Sequence, residues 1–155
     1  IIFQDSYPIT DADDYGTLLE RAYVGCADVL YRAVRAIYDG EVRRVPQDSI
    51  HPVGFYCSSR RSGDETIDWC LSSRELFNFI RAISAPGPQA LTFKNGTEVR
   101  INRIELVAEA PSYQCIPGVV LQKKADSFLV KTADSFVRVT EWTSEVLIKV
   151  GDRFQ

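Results

Sequence analysis

The chain has 155 residues, 45% of them apolar and 25% charged, which excludes a disordered protein and leaves room for one ordinary core or two small ones. Its formal net charge of −3 speaks against a general nucleic-acid surface, because holding phosphates depends on clustered Lys and Arg. It contains no run of about 18 apolar residues that would span a bilayer, and its start lacks the charged-then-apolar pattern of a signal segment.

The four cysteines, Cys26, Cys57, Cys70 and Cys115, show no C-x-x-C spacing and have too few histidines near them for zinc, so they read as reduced thiols of a cytoplasmic protein. The chain has no Met, and it opens directly on Ile1-Ile2-Phe3. A fragment or a separately numbered domain is therefore expected.

In chain order, residues 1–9 read as a strand followed by an extended tail. Asp13 or Asp14 is placed to cap a long helix, whose apolar positions recur at Leu19, Ala22, Tyr23, Cys26, Val29, Leu30, Ala33, Val34 and Ile37. Gly40 is placed to end it in a left-handed turn. A single strand and helix cannot bury both of their faces, so this pair reads as the last unit of an α/β domain whose sheet lies elsewhere. Residues 43–51 are polar and read as a linker. Residues 52–66, rich in Gly, Ser, Arg and aromatics, read as a loop or a short extended arm.

The stretch from Thr66 to Pro88 has the clearest punctuation. Ile67-Asp68-Trp69 leads into a helix in which Ser72 and Glu75 have capping-box spacing and Leu76, Phe79, Ile80 and Ile83 form one apolar stripe. Pro86-Gly87-Pro88 stops it. The other face carries Arg74, Asn78 and Arg81.

After Pro88 the pattern becomes β. Residues 90–93 and 98–106 flank Asn95-Gly96, a hairpin signal, and the alternation Val99, Ile101, Ile104, Leu106 slips by one residue at Asn102-Arg103, which predicts a bulge. Further strands are expected after Pro117-Gly118, at 128–132, at 136–142 and at 146–150. Five or six short strands at this spacing predict a small closed or partly open barrel, with the oligonucleotide-binding (OB) type leading. The echo of Ala125-Asp126-Ser127-Phe128 in Ala133-Asp134-Ser135-Phe136 reads as two similar turns.

Among chemically capable residues, His51 stands beside a proline in a polar linker and lacks the buried partner of a general base. Asp11, Asp13 and Asp14 read as helix-start carboxylates in preference to a metal site, and Asp126 and Asp134 as turn formers. Arg60 and Arg61, with Tyr56 and Trp69 nearby, could clamp a phosphate and stack on a base or sugar ring; the alternative is that the arginines pair with Asp64 and Asp68. Phe128, Phe136 and Trp142 read as barrel core in preference to a base-stacking platform. From Ala90 onward nine Lys and Arg face eight carboxylates, too even a balance for RNA.

Ile67-Asp68-Trp69, then Asn78-Phe79-Ile80-Arg81-Ala82, then Pro86-Gly87-Pro88 resemble the segment that follows the catalytic domain in formyltransferases using 10-formyltetrahydrofolate. Ile1-Ile2-Phe3-Gln4 with Pro8-Ile9, Ile116-Pro117-Gly118-Val119 and Lys149 through Phe154 are similar to further segments of that family. The resemblance implies an α/β fragment at 1–46, the last strand and helix of a catalytic domain. It also implies a linking arm and helix at 47–88 and a small OB-like β-barrel at 89–155. It implies an enzyme in which an amine attacks the formyl carbon, with the family's catalytic Asn, His and Asp and its 10-formyltetrahydrofolate site upstream of Ile1. No catalytic residue is thus expected in this chain, and the stretch by itself is expected to be inactive. Cys57-Ser58-Ser59-Arg60-Arg61, Asp64 and Trp69 look most like the branch that modifies an amino sugar on a UDP carrier. A nucleotide-linked amino sugar is therefore the expected acceptor. Methionyl-tRNA is the alternative, and a non-catalytic binding or dimerisation module the reading of a different class.

Overall fold

The computed structural model describes residues 1–155. The chain forms two compact units: residues 1–13 with 17–61, and residues 14–16 with 62–155.

The first unit is built on helix α1, Tyr15–Asp39, from its third residue, Thr17, onward, with a short 3₁₀ turn at Gln47–Ser49. Charged residues are confined to one side of α1, where Arg32 pairs with Asp28 and Arg35 with Asp39, each at 2.8 Å and i,i+4 spacing. The remainder of its circumference is apolar, yet none of its residues is buried, and Tyr31 and Tyr38 are 68% and 84% exposed. As predicted, Gly40 ends the helix. It sits at φ +73°, its amide donates to Ile37 O and the Glu41 amide to Ala36 O, the paired bonds of a Schellman motif.

One expectation for this unit is corrected. Residues 1–9 form no strand: a strand needs a pairing partner along its length, and here Ile1 exchanges backbone bonds with Val45 and no ladder follows. Of the two carboxylates offered as the cap of α1, Asp13 turns back toward Thr10. Its carboxylate accepts from the Thr10 amide at 2.7 Å and the Thr10 hydroxyl at 3.0 Å, and it pairs with Arg21 at 2.7 Å. Asp14 is the residue that immediately precedes the helix.

The second unit holds helix α2, Ser73–Arg81, and strands β1 (Ala90–Lys94), β2 (Thr97–Leu106), β3 (Val120–Lys123), β4 (Phe128–Lys131) and β5 (Phe136–Ser144). The capping box forms as its spacing predicts. Ser72 Oγ accepts from the Glu75 amide at 3.3 Å, and Glu75 Oε2 accepts from the Ser72 amide at 2.9 Å. Leu76, Ile80 and Ile83 are buried, while Phe79 is only partly so; Ser73 joins the buried face.

The strands make one antiparallel sheet in the order β1-β2-β5-β4-β3. Asn95 and Gly96 both take positive φ, 50° and 79°, the backbone of a tight hairpin turn. The bulge falls where the phase slips: Ile101 pairs with Trp142, Arg103 with Glu141 and Ile104 with Val139, so Asn102 leaves the ladder. Its side chain accepts from the Ala85 amide at 2.8 Å and donates to Glu141 at 2.7 Å, tying the turn after α2 to the sheet. The two echoing turns are equivalent, with Lys124 N bonding Ser127 O and Thr132 N bonding Ser135 O.

The strand expected at 146–150 is absent: Leu147 and Val150 are 70% and 62% exposed, and the run has no ladder partner. Pairing resumes a few residues later. The Phe154 amide donates to Gly118 O and Val120 N to Asp152 O, while Gln155 exchanges two bonds with Phe93 of β1. The last residues therefore bond to both edges of the sheet. Val99, Ile101, Ile104, Val120, Phe128, Val130, Val137 and Val139 fill the interior with Ile67, Trp69, Leu76 and Ile80 from the preceding segment. Phe128 meets Trp142 edge-on with centroids 4.9 Å apart, as expected of core. Trp142 is half-buried against that core, whereas Phe136, also half-buried, lies on the face opposite Val137 and packs against Tyr113.

Candidate functional site

Tyr56, Arg60 and Arg61 lie on one irregular arm, with no helix or strand between His51 and Arg61. Gly54 and the Ser58-Ser59 pair favour no regular structure, and Pro52 removes a backbone donor. The arm presents its side chains to solvent: Phe55 is 81% exposed and Tyr56 fully so. Two guanidinium groups and a phenol on an open arm have the donors for a phosphate and a π-face for a ring.

Trp69 is placed otherwise. It is 4% exposed, in the core of the second unit, where its indole N–H donates to Thr92 Oγ1 at 3.0 Å and its ring stacks on Phe154 with centroids 5.7 Å apart. The reason is legible in the packing. Gly118 lets the backbone come so close that an added Cβ would meet the Trp69 ring at 3.4 Å and Phe154 O at 2.8 Å. Trp69 is thus a closing element of the sheet unit and not an exposed stacking platform. The cleft beside it, about 340 Å³, is formed by Ile67, Asp68, Cys70, Pro117, Arg153 and Gln155 among others. Three separate sequence motifs meet there, and their spacing alone could not have shown it.

The remaining candidates have structural partners. The Asp68 carboxylate accepts from the Cys70 amide at 2.9 Å, and His51 Nδ1 contacts Val53 O. Asp126 accepts from the Ser127 hydroxyl. Asp134 does more than shape a turn: Oδ1 accepts from the Ser73 amide at 2.8 Å, the Ser73 hydroxyl at 3.0 Å and the Thr132 hydroxyl at 3.0 Å, adding a second cap to α2. Burial pushes the Asp134 carboxyl up, but the bonds from Ser73 and Thr132 more than offset this and leave it below the usual carboxylate range. Asp152 behaves alike: burial raises it, and Lys94, 2.5 Å away, with the Lys149 amide, brings it below that range. Asp13 is lowered chiefly by the Thr10 amide and hydroxyl, with Arg21 adding to the effect.

Sequence reasoning missed Lys131. It is fully buried, and its ammonium donates to Tyr113 O at 2.7 Å and Thr132 O at 2.8 Å beneath the Tyr113 ring. A lysine in the strand pattern Phe-Leu-Val-Lys reads as an outward residue, and only the chain folding over it makes it core. The other cavity of note is a mostly apolar groove of about 610 Å³ in the first unit, between Tyr7, Ile9 and the Leu18, Ala22, Val29 and Ala33 positions of α1. On the sheet, Arg100 pairs with Glu98 at 2.5 Å, Arg138 with Glu105 at 3.8 Å and Arg103 with Glu141 at 3.9 Å, so these arginines stand next to carboxylates. No helix is long and apolar enough to cross a membrane.

Comparison with known proteins bears on the same segments. The family described as formyl transferase, C-terminal domain, matches residues 61–146. Over 132 residues the chain is 32% identical to the methionyl-tRNA formyltransferases of Streptococcus pyogenes serotypes M6 and M12, covering 85% of this chain and 40% of each relative. The chain thus spans about 40% of the length of these curated relatives. Among solved structures, a multiply substituted variant of HypX from Aquifex aeolicus superposes with a TM-score of 0.64 at 17% identity, covering 90% of this chain and 24% of HypX. HypX in complex with tetrahydrofolic acid superposes with a TM-score of 0.60 at 17% identity over the same shares. At that identity the likeness is one of fold. With its capped helix, its bulged five-stranded sheet and a family match over residues 61–146, this chain belongs to the formyl transferase C-terminal domain family.

Proposed function

We propose that this chain is the C-terminal part of an enzyme that moves a formyl group from 10-formyltetrahydrofolate to an amine. The observation that carries the reading is the family match over 61–146 together with 32% identity to named formyltransferases over 132 residues. In this reading residues 1–46 end the catalytic α/β domain, 47–88 are the linking arm and helix, and 89–155 are an OB-like barrel in a cytoplasmic protein. The broad apolar circumference of α1 supports the first assignment, because a helix with no buried residue needs further chain against it. The bonds from Phe154 and Gln155 to both sheet edges support the barrel, since closure requires a segment that pairs with each.

The folate is assigned to the part of the enzyme outside this chain. The groove along α1 is mostly apolar and does not bring together the convergent polar groups that a pterin ring needs, and no catalytic residue is assigned here.

For the acceptor we infer a nucleotide-linked amino sugar, bound through its phosphates by Arg60 and Arg61 with Tyr56 beside them. The exposure of that arm supports this, as do the carboxylates beside Arg100, Arg103 and Arg138, which weaken the field that would hold an RNA backbone. Methionyl-tRNA is the second reading, favoured by the names of the relatives. The test uses the complete protein that carries this chain, supplied with 10-formyltetrahydrofolate and either UDP- and dTDP-linked amino sugars or methionyl-tRNA. Formylation of an amino sugar but not of the tRNA supports the first reading; the reverse selects the second. Transfer to neither, with no stabilisation by folate, overturns the enzyme reading.

A further inference from the structure

Between β2 and β3 the chain runs from Val107 to Val119 without helix or strand, long enough that its position needs an explanation. The middle of this loop is gripped from one turn. Lys131 Nζ donates to Tyr113 O at 2.7 Å, the Tyr113 amide donates to Asp134 O at 3.0 Å, and Ser135 Oγ donates to Pro111 O at 2.9 Å. The Tyr113 ring lies over the ammonium at 4.4 Å and edge-on to Phe136 at 6.5 Å. The same turn grips helix α2 from its other side, through the Asp134 and Thr132 bonds to Ser73.

We propose that the turn from Lys131 to Ser135 is a clasp that makes the loop around Pro111–Tyr113 and the start of α2 open together, as one cooperative unit. The physical reason is the buried ammonium. Lys131 is fully buried and is bonded to backbone carbonyls, two of which, Thr132 and Ala133, belong to the turn itself. If the loop left, the ammonium would lose its strongest external acceptor and the ring above it. It could recover solvation only by moving toward water, because an under-bonded buried charge is costly. That movement displaces the turn, and with it the carboxylate that caps Ser73. Conversely, freeing α2 releases Asp134, whose backbone carbonyl holds the Tyr113 amide.

The test is hydrogen exchange followed by mass spectrometry on the full chain, comparing the parent with Lys131→Met and Ser135→Ala. Ser135→Ala removes the hydroxyl that holds Pro111 and touches no group on α2. The expectation is that exchange rises about fivefold, the factor for one net hydrogen bond, both in peptides over 107–116 and in peptides over 72–76. Lys131→Met raises both further. A rise confined to 107–116, with 72–76 unchanged in both variants, overturns the clasp. If Lys131→Met does not fold, Ser135→Ala and Ser73→Ala decide: Ser73→Ala must speed exchange at Tyr113, and an unchanged loop again overturns the proposal.

Discussion

Trp69 separates two accounts of the Ile67-Asp68-Trp69 segment, one as core and one as a ligand platform, and its replacement distinguishes them. An indole removes on the order of 200 Å² from water, so burying it contributes at most about 5 kcal/mol at 25 cal/mol/Å², an upper bound because the unfolded chain is partly collapsed. Trp69→Ala keeps the Cβ, opens a cavity against Phe154 and Gly118, and removes the bond to Thr92, which retains its own bond to Gln155 O. The expected loss is about 4 kcal/mol, a large part of the 5–15 kcal/mol that holds an ordinary domain. Trp69→Phe keeps most of the packing and loses the N–H, for about 1–2 kcal/mol. Thr92→Val in the same background reports the Trp69–Thr92 coupling as about 1 kcal/mol in a double-mutant cycle. Urea unfolding followed by far-UV circular dichroism is the suitable assay, since the substitution alters the fluorescence signal itself. If Trp69→Ala shifts the unfolding free energy by less than about 1 kcal/mol, the burial argument is wrong. The same holds if Trp69→Phe leaves stability unchanged while acceptor affinity falls.

Gly118→Ala and Gly40→Ala form a contrasting pair: both sit at positive φ, +79° and +73°, but an added Cβ at Gly118 strikes Phe154 O at 2.8 Å whereas nothing lies within 4 Å of one at Gly40. We expect about 1 kcal/mol for Gly40→Ala and about 3 kcal/mol for Gly118→Ala, and equal losses would refute the steric part. Asp134 and Asp152 both sit below their ordinary value when folded, so the stability they contribute is present at neutral pH and lost as pH falls through their folded values. Urea midpoints should therefore drop on acidification below about pH 4, and the Asp134→Asn, Asp152→Asn double variant should show a flatter dependence than the parent. Replacing Arg60 and Arg61 together by Ala in the complete protein should raise KM for a nucleotide-linked amino sugar by about tenfold or more, with unfolding free energy changed by less than about 0.5 kcal/mol. An unchanged KM removes the arm from acceptor binding.

What could be read from the sequence was local. Ser72 with Glu75, Gly40, Asn95-Gly96 and the slip at Asn102 each announce a backbone geometry that a few neighbouring residues enforce, and each appears as expected. The motif resemblance likewise named the family, because those segments stand in the right order along the chain. What failed were the residues whose state depends on a distant partner. Residues 1–9 have strand composition without a ladder, and 146–150 are apolar enough for a strand, yet the pairing falls on Asp152–Gln155, since registry is set by Gly118 and Phe93 many residues away. Trp69 reads as available for stacking and is core because Gly118 and Phe154 close over it, while Lys131, which the sequence did not single out, is core because Tyr113 covers it. The sequence by itself determined the caps, the turns, the bulge and the family. Only the tertiary structure decided which aromatic and which cation are buried, because burial is a property of the segments that fold over a residue and not of its neighbours in the chain.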